Sequence, residues 1–183
     1  MWRLLTIVVI SLTGCVPQSN MIHSPDQVVF EPRLIGTWQI IEGDPRLTFD
    51  ICQSPHGDKT YRILISDAHP DGKGHMSECG AQLSRIDGKD YLTLGNDGDP
   101  QIPQKYYTVV IYEWEPKLRV RILNHLWLHQ AINLDPSLIT HRGAPKKGFL
   151  VTAPSQELLA FFQKHLNDKD AGSWVKYVLA KKE

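Results

Sequence analysis

Net charge is the first thing this sequence lacks: 20 lysines and arginines are balanced by 20 aspartates and glutamates. Without a basic field there is nothing to hold nucleic acid non-specifically, so no nucleic-acid partner is expected. Internal repeats, sustained heptads and low-complexity tracts are missing, which excludes solenoids and coiled coils. There is no nucleophile elbow, P-loop, dinucleotide glycine fingerprint, redox C-x-x-C or H-E-x-x-H. A non-enzymatic protein without a cofactor is the expectation. Cysteine occurs at three positions, 15, 52 and 79. The apolar run Leu4–Ile10 falls far short of the about 20 residues that a membrane-spanning helix needs.

What is present is a 183-residue chain, 42% hydrophobic, with five tryptophans. That suits one domain with its own core, needing no metal or disulfide staple. The run Leu4–Ile10 follows a positive start at Arg3 and precedes the small residues of Ser11-Leu12-Thr13-Gly14-Cys15. This is the layout of a secretory signal peptide, predicted over 1–14. Leu12-Thr13-Gly14-Cys15 also resembles the lipobox of bacterial lipoproteins. The resemblance implies cleavage before Cys15, a diacylglyceryl group on its thiol, and acylation of the new amine. Two or three long chains, at about 0.8 kcal/mol per buried methylene, make desorption negligible. Val16 stands where that family places aspartate in proteins kept in the inner membrane, so the resemblance favours the outer membrane.

Residues 15–33 read as the lipidated cysteine followed by a flexible polar tether, with the ordered domain predicted over 34–183. From Leu34 on, short alternating strands are separated by turn residues. Trp38 and Ile40 alternate, then Leu47, Phe49 and Ile51, then Tyr61, Ile63 and Ile65. Asp87-Gly88 suits a two-residue turn in which both positions need positive φ. Tyr106–Trp114 and Leu118–Leu123 form a further hairpin. An amphipathic helix is predicted near 153–167, with Leu158, Leu159, Phe162 and Leu166 at helical spacing. Trp174–Leu179 alternates as a final strand. The predicted fold is mainly β, an antiparallel meander closing into a barrel with one C-terminal helix.

Gly36-Thr37-Trp38 at the first strand resembles the G-x-W signature of lipocalin-like barrels. The body is also similar to a group of uncharacterised bacterial lipoproteins that open with G-T-W. That group ends with a segment like Thr152-Ala153-Pro154-Ser155-Gln156-Glu157-Leu158 running into Phe161 or Phe162. Two features depart from the lipocalin pattern. No T-D-Y lies between 100 and 115, and the cation that packs over the tryptophan has only Lys176 as a candidate.

In an oxidising compartment Cys52 and Cys79 are candidates for a disulfide. The strand alternation opposes it, placing Cys52 with the polar set and Cys79 with the apolar set, unless Gly80 provides a bulge. Trp38, Phe49, Tyr61, Tyr106, Val110, Tyr112 and Trp127 are candidates to line a ligand cavity or to fill the core. His125 and His129 are four residues apart and could begin a zinc site, but no third ligand is evident and no metal is expected. Asn96-Asp97-Gly98-Asp99 and His69, Asp71 and His75 read as polar loops with weak calcium or metal character.

Two functions follow as expectations. One is an anchored envelope lipoprotein whose barrel binds a small apolar ligand; the other is an envelope interaction protein that holds a protein partner on its outer surface.

Overall fold

The computed structural model describes residues 16–42, 47–55, 57, 59–67, 75–95, 105–144, 148–166 and 173–182. Its strands are β1 (Val28–Val29), β2 (Gly36–Glu42), β3 (Leu47–Gln53), β4 (Thr60–Asp67), β5 (His75–Ile86) and β6 (Lys89–Gly95). They continue as β7 (Tyr106–Glu113), β8 (Leu118–Leu123), β9 (His141–Ala144), β10 (Gly148–Val151) and β11 (Trp174–Lys181). Two helices, α1 (His125–Leu134) and α2 (Ser155–Leu166), lie between β8 and β11.

Each strand from β2 to β8 pairs antiparallel with the next, and β11 joins β8 back to β2. The result is the closed eight-stranded meander that the alternation predicts, lipocalin-like in arrangement. Local chemistry explains its tightest turn. Asp87 and Gly88 adopt φ of 51° and 73°, and Ile86 pairs directly with Lys89. Positive φ at both positions matches the right-handed strand twist, and Asp-Gly tolerates it.

Inside the barrel the inward residues pack into one apolar cluster, including Leu34, Trp38, Ile63, Leu83, Val109 and Val120. A short 3-10 turn, Pro32–Leu34, places a fully buried Leu34 against this cluster. The Trp38 indole N–H donates to the Leu34 carbonyl at 2.8 Å. These contacts close one end of the barrel.

A second apolar cluster sits on the outside of the wall. Tyr91 and Val110, paired across β6 and β7, point outward into a layer that includes Leu128, Ile132, Phe149, Leu158 and Phe162. α2 is the helix expected near 153–167. It buries Leu158, Phe161, Phe162 and Leu166, each contributing about 1.5–3 kcal/mol on burial. Glu157 in its first turn accepts from the Thr140 amide at 2.8 Å and from the Thr140 hydroxyl at 3.1 Å. α1 is an addition to the single helix expected. Its start is set by Asn124, whose side chain accepts from the amides of Leu126 and Trp127.

The segment read as a flexible tether is packed against the body. Val16 and Ile22 are buried in the outer cluster. The backbone of Gln18 exchanges two hydrogen bonds with Tyr106, at 2.9 and 2.8 Å. Val151 donates to the Pro17 carbonyl at 3.0 Å and accepts from Ser19 at 2.8 Å. The Asn20 amide donates to the Ala153 carbonyl at 2.9 Å, and β1 pairs with β5 through Val28 and Ser84. Pro17, Gln18, Ser19 and Asn20, within the stretch that suggested a tether, are held by these bonds, because buried backbone groups must be satisfied somewhere.

Candidate functional site

The barrel interior is the candidate site. Fifteen side chains surround an apolar cavity of about 70 Å³, running from Leu34 at the closed end past Ile51, Ile63 and Val120 to Ile65 and Leu94. No polar atom faces it. That is roughly half of the ~150 Å³ engineered apolar cavity that stays dry and takes up benzene or xenon. With no polar group to recruit water, this lining favours an apolar hydrocarbon segment over a polar head.

Of the residues expected to line a cavity, Phe49 does so. Trp38 and Tyr61 also point inward but pack into the core beside it. The other four are corrections. Tyr112 lies outside, with the Arg121 guanidinium 4.5 Å from its ring centre. Tyr106 starts β7 where the Gln18 backbone pairs with it. Trp127 stands on α1 against Phe161 and His165. Val110 faces the outer cluster. In β7 the inward positions are Val109 and Ile111. Both faces of β7 are apolar because both are covered, so alternation there carries no parity.

The closed end is sealed by a polar latch. Glu31 makes two 2.8 Å bonds to the Arg33 guanidinium, and Arg85 binds Asp90 at 2.7 and 3.2 Å. The Trp114 indole donates to Asp90 at 2.7 Å, and the Arg33 guanidinium lies 4.9 Å from the Trp114 ring centre. The Glu31 amide donates to the Tyr61 hydroxyl at 2.6 Å, while Phe30 stacks on the Tyr61 ring. The hydrogen bond from Arg33 holds the Glu31 carboxyl at a pKa of about 2. Every charge here is matched by a neighbour, which describes a structural seal rather than a reactive group. The cation over the G-x-W tryptophan is Lys181, its ammonium 5.5 Å from the Trp38 ring centre; Lys176 pairs with Arg121 on β8 instead.

The Cys52–Cys79 disulfide is not formed. Cys52 faces Arg62 on the outside, whereas Cys79 pairs with Ile63 and packs against the interior cluster. The cysteines therefore lie on opposite faces of the wall, with β4 between them, and no bulge at Gly80 turns one over.

His125 and His129 do share one face, on helix α1, with ring centres 6.4 Å apart. His125 stacks on Phe149, 5.3 Å between ring centres, and burial lowers its pKa. Among the described residues no three His, Cys, Asp or Glu side chains are grouped to hold a metal ion. Cys15, His69, Asp71 and Asn96 to Asp99 lie outside the described residues.

Compared with known protein families, with curated proteins and with solved structures, the chain matches none. The fold and its interior define an antiparallel β-barrel compatible with a ligand-binding, lipocalin-like protein.

Proposed function

We propose that this chain is a lipoprotein of the bacterial cell envelope, acylated at Cys15 and favouring the outer membrane, whose barrel takes up a small, slim apolar ligand without catalysing a reaction. The carrying observation is the interior cavity, lined from Leu34 to Leu94 without a facing polar atom. A barrel that needs only a core gains dispersion contacts by filling such a space; leaving it open costs stability. The anchor half of the reading is supported by Arg3, the apolar run Leu4–Ile10 and Leu12-Thr13-Gly14-Cys15 in register. Non-polar cargo suits a protein held at a lipid surface.

The test is native mass spectrometry of the chain beginning at Val16, beside an organic extract of the same sample. A stoichiometric apolar adduct that disappears in Val120→Phe, which places a ring in the cavity, supports the reading. A clean mass after incubation with fatty acids and phospholipids overturns the ligand half. For the anchor half, Cys15→Ala should abolish palmitate labelling; persistent labelling overturns it.

A further inference from the structure

We infer that the outer face of α1 rests on the lipid surface when Cys15 is acylated, so that the barrel lies against the membrane instead of standing off from it. This rests on the anchored reading above.

The argument is one of reach. An anchored flexible tether over 16–33, eighteen residues, would give about 23 Å of freedom. Here that slack is absent, because Val16 is 3% exposed and Pro17, Gln18 and Ser19 are laced to Val151 and Tyr106. An anchor on Cys15 therefore departs from the held position of Val16.

That place is beside α1. Gln18 bridges Val151 in the parallel sense. Two residues earlier, Val16 comes level with Phe149, and both belong to the outer cluster with Leu128 and Ile132 of α1. The Phe149 ring stacks on His125, the first residue of α1.

α1 is suited to what it would meet. Its sequence, HLWLHQAINL, has no lysine, arginine, aspartate or glutamate. Its inner face is satisfied by burying Leu128 and Ile132, yet Leu126 is 70% and Leu134 88% exposed. These are two of the five large hydrophobics exposed among the described residues, and Leu134 is the most exposed of them. An uncharged face with projecting leucines enters the headgroup layer without stripping water from an ion. The anchor supplies the affinity; the helix sets the orientation.

The test uses the full chain, acylated in a Gram-negative host, purified and placed in phosphatidylethanolamine–phosphatidylglycerol vesicles carrying a headgroup quencher. All forms carry Cys79→Ser. A fluorophore is attached at Leu126→Cys or Leu134→Cys, each with Cys52→Ser, or at the native Cys52. Cys52 lies on the outer face of β3, four strands around the barrel from β7. The expected result is loss of most of the emission at 126 and 134, with the emission at 52 retained. Equal quenching at all three sites overturns the inference. So do bright probes at 126 and 134, or quenching there that depends on protein concentration and not on the lipid quencher, the mark of a second copy on this face. Acylation is read separately from the intact mass. An acylated chain with unquenched probes rejects the orientation and leaves the anchor standing; a chain without acyl mass rejects both.

Discussion

The Lys181 side chain fills the space where a Cβ on Gly36 would project, while its ammonium stands 5.5 Å from the centre of the Trp38 ring. Two residues of the G-x-W signature are thus tied to the last strand by one lysine. Gly36 adopts φ of 132°, a region that side-chain-bearing residues avoid. Gly36→Ala is expected to lower unfolding free energy by about 2 kcal/mol, mostly from backbone strain. Adding Lys181→Ala should restore only a minor part, since the lysine end is flexible and the φ remains. Urea unfolding of the single and double variants checks this; full rescue by Lys181→Ala would show that the overlap, not φ, carried the cost.

Glu31 gives the barrel an acid-sensitive seal. Its carboxyl ordinarily titrates at 4.5 and is held at about 2, chiefly by the Arg33 hydrogen bond. A depressed folded-state pKa adds stability above the unfolded value, and that stability is lost as pH falls from about 4.5 towards 2. Because the Arg33 side chain is half exposed, solvent screens the pair and the contribution is below about 1 kcal/mol. Glu31→Gln should cost that much at pH 7 and flatten the acid limb of the stability curve, read from urea midpoints at a series of pH values. An unchanged acid limb would move the seal's pH response to another carboxylate.

The sequence carried the barrel because its signals were period-two and local. Tyr61, Ile63 and Ile65 alternate with Arg62, and Asp87-Gly88 names its own turn. What it obscured lies on the outer wall. Val109, Val110 and Ile111 are all buried, so nothing along the strand marks the inward parity. The helix signal in α1 was present, as Asn124 followed by Leu128 and Ile132 at a four-residue spacing, but ten residues flanked by strands also fit an extended reading. The strap over 16–29 had no local signal at all. Its prolines, serines and amides look solvated until β7 and β10 supply partners 80 or more residues away. The cavity's aliphatic lining was not legible: the candidates were aromatics and Val110, of which only Phe49 lines it, and its volume depends on how the walls close.

The strap offers a direct contrast. Ile22 is buried in the outer cluster, and nearby His23 binds Gln82 at 3.1 Å, its pKa lowered by burial. Truncating a buried isoleucine removes its transfer free energy and leaves a void, so Ile22→Ala should cost about 3 kcal/mol. A flexible tether would lose nothing. Denaturant unfolding of the chain beginning at Val16 distinguishes the two, and a change below 0.5 kcal/mol, roughly the scatter of a surface substitution, would return this segment to a tether.

Tyr91 is the reverse case, a group whose removal should help. Its ring is fully buried in the outer cluster, and its hydroxyl has no hydrogen-bond partner among the described residues. Burial, with a smaller contribution from the Asp87 charge, pushes its pKa from 10.0 up to about 12. The folded state then keeps a proton that the unfolded chain has released, so stability is intact below pH 10 and falls as pH rises towards 12. Tyr91→Phe keeps the ring and deletes the unsatisfied oxygen, and should raise stability at pH 7 by about 1 kcal/mol. The same substitution should make the alkaline decline shallower, because no proton is then held against the solvent. Thermal and urea unfolding from pH 7 to 11 reads both effects. A loss of stability at neutral pH would mean that the hydroxyl is bonded in solution.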